Sequence, residues 1–168
     1  DDSLQAVRAL PDGGIIAVGW TGIERPAGED RNLWIVALDA DGNMRWEKKD
    51  LGDEADEKGK AVFVAADGDL LVLAEASRVP AQTGPETEAT EGTGSIHKPW
   101  LLRLTADGTV KWQTKEFGGK ADRSDTLDAI APAGDGGFFI GGATESKGAG
   151  RKDGWLVRID SEGKVLWD

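Results

Sequence analysis

Three segments decide the fold: Trp34–Trp46 reads WIVALDADGNMRW, Trp100–Trp112 reads WLLRLTADGTVKW, and Trp155–Trp167 reads WLVRIDSEGKVLW. Each opens and closes on Trp and carries a Gly (Gly42, Gly108 or Gly163) at the same offset. Each begins with an apolar run of strand length and turns at Asp-Gly or Glu-Gly, where Gly supplies the positive φ of a tight hairpin. Agreement in residue type and spacing across three segments marks an internal repeat.

The repeat extends upstream of each segment. Asp12-Gly13-Gly14-Ile15-Ile16-Ala17-Val18-Gly19 matches Asp135-Gly136-Gly137-Phe138-Phe139-Ile140-Gly141-Gly142, and Thr21 matches Thr144. Asp67-Gly68-Asp69-Leu70 fits the same frame without the second Gly. The extra length of the middle copy lies between Ala76 and Trp100. Each copy reads as four short strands, in the first copy near Gln5–Leu10, Ile15–Thr21, Trp34–Leu38 and Met44–Lys48. Helical periodicity is absent, so an all-β chain of twelve strands is expected. The repeats are placed at 1–57, at 58–125 with an insertion at 78–99, and at 126–168, together one domain.

Composition narrows the partners. The net charge of −11 disfavours nucleic acid and an anionic membrane surface, and leaves a protein or a neutral ligand. With no Cys there is no disulfide, thiolate nucleophile or zinc–thiolate site. No apolar run has the length of a spanning helix. The chain opens at Asp1 without an initiator Met or an apolar leader, and it ends one residue after Trp167, which suits an array cut between repeats or one whose ends pair with another chain.

The pattern D-G-G, apolar run, G-x-T, then W, apolar run, D-x-x-G-x-x-x-W resembles the bacterial β-propeller-like repeats found in tandem in many exported proteins. Ala37-x-Asp39-x-x-Gly42-x-x-x-Trp46 is also similar to the tryptophan-docking motif of pyrroloquinoline-quinone-type propellers. It departs by one residue fewer between Asp39 and Gly42, and the middle copy has Thr105 in place of the Asp. The resemblance implies four-stranded antiparallel propeller blades, a structural role for Trp46, Trp112 and Trp167 docked between blades, and an extracellular or periplasmic setting. Propellers close with roughly four to eight blades, so three would be a partial or half propeller. Either the array is longer, or a homo-oligomer completes a six-bladed ring, or the three copies form a β-trefoil, which closes at three.

Candidate sites are few. Asp39, Asp41 and Asn43 resemble the opening of a calcium loop, but the Gly is at the fourth position and the other copies read TADGT and DSEGK, which a hairpin turn explains. No other cofactor is indicated. Gly52–Glu57 is the densest acidic cluster and reads as a connector. His97, the only His, is expected in an exposed loop with no nucleophile motif nearby, and it joins Trp20 and Arg25 as a ligand-binding candidate. The insertion is too polar for a core and is either a surface loop or a recognition loop. Trp20, whose repeat equivalents are Glu75 and Ala143, is not required by the architecture, and with Arg25 it could stack on a sugar or a peptide. Trp34, Trp46, Trp100, Trp112, Trp155, Trp167, Gly42, Gly108 and Gly163 are structural. The expected function is a non-catalytic binding or scaffold module. The alternatives are a carbohydrate-binding module and a fragment of a quinoprotein-like enzyme.

Overall fold

The Asp-Gly turns close hairpins. Leu10 N–H bonds Gly14 O at 2.8 Å, Asp12 Oδ1 accepts Gly14 N–H at 3.1 Å, and Gly13 takes φ 85°. The same arrangement recurs at Asp67–Asp69 and Asp135–Gly137. These turns join strands into an all-β chain. The structure, a computed structural model, describes residues 1–25, 28–52, 56–78, 95–149 and 151–168, and no helix occurs among them.

The first sheet holds β1 (Asp2–Ala9), β2 (Ile15–Arg25), β3 (Gly28–Leu38) and β4 (Met44–Leu51). The second holds β5 (Asp56–Val64), β6 (Leu70–Arg78), β7 (Ile96–Leu104) and β8 (Val110–Thr114). The third holds β9 (Asp125–Pro132), β10 (Phe138–Thr144), β11 (Asp153–Ile159) and β12 (Val165–Trp167). Chain order is spatial order in every sheet. A trefoil would need hairpins of all three repeats to pair in one barrel, and no ladder joins the three sheets among the described strands. Three unclosed four-stranded antiparallel sheets fit propeller-type blades.

Alternation along the strands decides what each sheet touches. In the second sheet Leu70, Val72, Trp100, Leu102 and Leu104 face the first sheet, where they meet Ile16, Val18, Ile35 and Ala37. The intervening Leu71, Leu73 and Leu101 face the third sheet and meet Leu127, Phe138, Ile140, Trp155 and Val157. The middle sheet is therefore apolar on both faces, and each fully buried Leu contributes about 1.5–3 kcal/mol.

Several expectations are corrected. The boundary at 57 falls inside β5, and that at 125 falls on the first residue of β9. The strands outrun the apolar segments because polar residues at their ends continue the ladder, as in Thr21↔Asn32 and Ile23↔Asp30. The predicted insertion gives up residues 96–99 to β7, and most of the rest, 79–94, lies outside the described residues. So does the acidic stretch 53–55.

Candidate functional site

The junctions between sheets carry the recurrent Trp residues. On β4, Trp46 donates its indole N–H to Ala106 O at 3.0 Å, in the β7–β8 turn of the next sheet. Its ring lies so close to Gly108 that a Cβ there would be 3.0 Å from it. Trp112 on β8 lies against Gly163 of the third sheet in the same way, with a Cβ at 2.7 Å. These two Gly positions are doubly constrained, by φ near 85° and by the ring above them. Trp34, Trp100 and Trp155 sit one strand earlier. Trp34 and Trp100 bond Glu47 at 3.1 Å and Gln113 at 3.0 Å. Trp155 is buried, and its indole N–H has no hydrogen-bond partner among the described residues. The residue at the matching position, Asp168, pairs with Lys147 instead.

Charged side chains reinforce the second junction. Arg103 bonds Asp69 and Asp67 within its own sheet and Ser161 O of the third, each at 2.7 Å. Burial works to raise the Asp69 carboxyl, but bonds from Lys111 and Arg103 outweigh it and hold it below its usual value. Lys98 on β7 reaches across to Asp125 on β9 at 2.7 Å. Burial pushes Asp125 up, and bonds from Lys98, Ser146 and Thr144 outweigh it, leaving the carboxyl at about 2. These groups tie the sheets together.

The predicted binding residues fall at the opposite ends of the strands from the Asp-Gly turns. Trp20 is half-buried, with the Arg31 guanidinium 4.7 Å from its ring centroid. The side chain of Arg25 lies outside the described residues. His97 is not in a loop: it lies in β7, paired in register with Ser77, because the ladder extends past the apolar run. Its Nδ1 is 2.9 Å from Glu75 Oε1, and Lys60 links Glu75 at 3.6 Å to Asp128 of the third sheet at 3.5 Å. Trp20 and Arg31 stand at the same repeat positions as Glu75 and His97, and the third copy has Ala143 and Lys152 there. One pair of positions thus carries a cation–π contact, an acid–His contact and neither. Glu75 was legible as a departure from the repeat, whereas Lys60 and Asp128 become its neighbours only through the packing of sheets.

At the calcium candidate, Asp39 Oδ1 accepts the backbone N–H groups of Asp41 and Asn43 at 3.0 and 2.8 Å. Asn43 Nδ2 donates to Asp39 at 3.1 Å. Asn43 therefore presents a donor to Asp39, the contact a hairpin turn makes.

Two hollows lie along the junctions. One, of about 560 Å³, opens between the β5–β6 and β9–β10 turns and is lined by Phe63, Val64, Pro132, Phe138, Arg103 and Ser161. The other, of about 370 Å³, lies between Asp50–Gly52 and Trp100, Gln113 and Lys115. Exposed apolar side chains gather at the ends of the array. Among the described residues, every exposed large hydrophobic lies on a terminal sheet: Leu4, Val7 and Met44 on the first, and Phe139, Leu156, Val165, Leu166 and Trp167 on the third. They range from 37% to 56% exposed, and the middle sheet contributes none. A scan against protein-family models gives no match, and a search of curated proteins also gives none.

Proposed function

We propose that this chain is a non-catalytic interaction module of propeller-like type, whose adhesive surfaces are the two open faces of its sheet array. The observation that carries this is the confinement of exposed large hydrophobics to the terminal sheets. Apolar groups gathered in this way mark protein contact surfaces, whereas single scattered ones need no explanation. The partner is a protein surface. The setting proposed with it is extracellular or periplasmic, on the strength of the resemblance to exported tandem repeats.

Two observations support the non-catalytic part. The charged groups at the second junction, Arg103 and Asp69 among them, are engaged with one another or with backbone. The Ser124 hydroxyl accepts the backbone N–H of His97, and His97 Nδ1 faces Glu75, so the hydroxyl and this ring nitrogen are not aimed at each other. A carbohydrate role would rest on Trp20, one side of whose ring is taken by Arg31.

The test is whether the folded chain associates through its end faces, with itself by light scattering or with a phenyl resin at moderate salt. Association that Leu156→Glu weakens is expected. A chain that is monomeric at every concentration and also unretained on the resin overturns the reading.

A further inference from the structure

We infer that the open faces of the first and third sheets are the two halves of one junction, and that a second copy of this chain completes it head to tail. This rests on the interaction-module reading above and names the partner.

The junction occurs twice within the chain with equivalent residues, so the molecule itself shows what each half requires. The sheet on the preceding side offers a face centred on Ile16, Ile35 and Trp46 at the first junction, and on Leu71, Leu101 and Trp112 at the second. The same repeat positions in the third sheet are Phe139, Leu156 and Trp167. Strand pairing puts these three on one face: Phe139 is opposite Arg158, Arg158 opposite Trp167, and Leu156 opposite Gly141, two residues along β10 from Phe139. Ile16, Ile35, Leu71 and Leu101 are fully buried, whereas Phe139 and Leu156 are exposed. A Cβ added at Gly141 would meet nothing within 4 Å.

The following side of the junction recurs too. Val62 and Val110 of the second sheet pack on the first, and Leu127 and Ile130 of the third pack on the second. The matching residues of the first sheet are Leu4, Val7 and Met44, which are exposed and point away from the second sheet.

The lock between the halves is unfilled in the same way. Gly108 and Gly163 each lie under a Trp of the preceding sheet, whereas a Cβ on Gly42 would meet nothing within 4 Å. Trp167 is the exposed Trp at the matching position of the third sheet. The carbonyls of Ala106 and Ser161 accept bonds from the preceding sheet, and Ala40 is their counterpart.

A second copy fits because one molecule presents both complementary halves. Two copies then form two such junctions at once, bringing the blade count to six, within the roughly four-to-eight range at which propellers close. Closure by rotation gives a dimer and not a filament. The open faces that carry Phe139, Leu156 and Trp167 on the third sheet and Leu4, Val7 and Met44 on the first are covered in that arrangement.

The test uses the wild-type chain and two variants, Leu156→Glu/Trp167→Ala on the third sheet and Leu4→Glu/Met44→Glu on the first. All four positions are exposed, so both variants should melt as the monomeric wild type does. Light scattering over a dilution series should give the wild type a mass of twice 17.8 kDa. Each variant alone should associate at least ~100-fold more weakly, since a carboxylate would enter an apolar junction. The two variants mixed should form a heterodimer, because one intact half remains on each. Three results overturn the inference: a wild type monomeric at all concentrations, either variant dimerising like the wild type, or a mixture that stays monomeric. A monomer that is still retained on phenyl resin leaves the interaction-module reading intact and removes only the self-partner.

Discussion

The second and third sheets are written in nearly the same pattern and end up in different states. Leu71, Leu101 and Trp112 of the second have Phe139, Leu156 and Trp167 as their equivalents in the third. The first set packs into a core, while the second is 38% to 51% exposed. The difference is not in local propensity. It follows from whether another sheet lies on that face, because burial is a property of the junction and not of the blade.

The comparison can be broken most directly at its centre. Leu101→Ala should destabilise the chain by about 2–5 kcal/mol in denaturant titration, through lost transfer free energy and a cavity. Leu156→Ala should stay within about 0.5 kcal/mol under monomeric conditions. Equal losses would mean that the open face is covered. Next in size, Trp112→Ala should cost about 1.5–3 kcal/mol for a half-buried ring wedged on Gly163, and Trp167→Ala much less, read from the same titrations.

The tie between the two sheets sharpens the comparison through pH. The Asp125 carboxyl is held at about 2 against an ordinary 3.8. A depressed value means that its stabilisation is complete above about pH 4 and lost as pH falls toward about 2. Asp125→Asn should therefore remove roughly 2 kcal/mol near neutrality and flatten the acid limb of a stability–pH profile in that window. Asp2, its counterpart in the first sheet, bonds Thr21 in the same manner but is exposed, and its Asn variant should change the profile less.

The smallest effect separates backbone from contact. Gly108→Ala and Gly42→Ala both place a Cβ at φ near 85°, at a cost of about 1 kcal/mol. Only the first meets an indole, that of Trp46 at 3.0 Å. Its thermal midpoint should fall further than that of Gly42→Ala, and identical shifts would deny that the ring is seated on the turn.

Much of this architecture was legible in the sequence. The Trp spacing and the Asp-Gly and Glu-Gly turns marked the first and last hairpin of each sheet, since turn geometry depends on residues adjacent in the chain, and left the connection between the second and third strands unmarked. Trp46 and Trp112 rest on turns of the next sheet, contacts made between residues more than fifty positions apart. His97 was misplaced because polar residues extend a ladder once a neighbouring strand supplies partners, and no apolar signal announces that. Glu75 could be flagged as a break in the repeat. Its association with Lys60 and Asp128 could not, because those residues belong to a different strand and a different sheet.

What the sequence by itself determined is the list of strands, their hairpin turns, the threefold repetition and the residues apolar enough to need cover. These are set by period-two alternation and by local backbone preference, which act over a few residues. Only the tertiary structure decided which of those residues receive cover. The same apolar position is core in the second sheet and surface in the third, because burial depends on a neighbour that the local sequence does not encode.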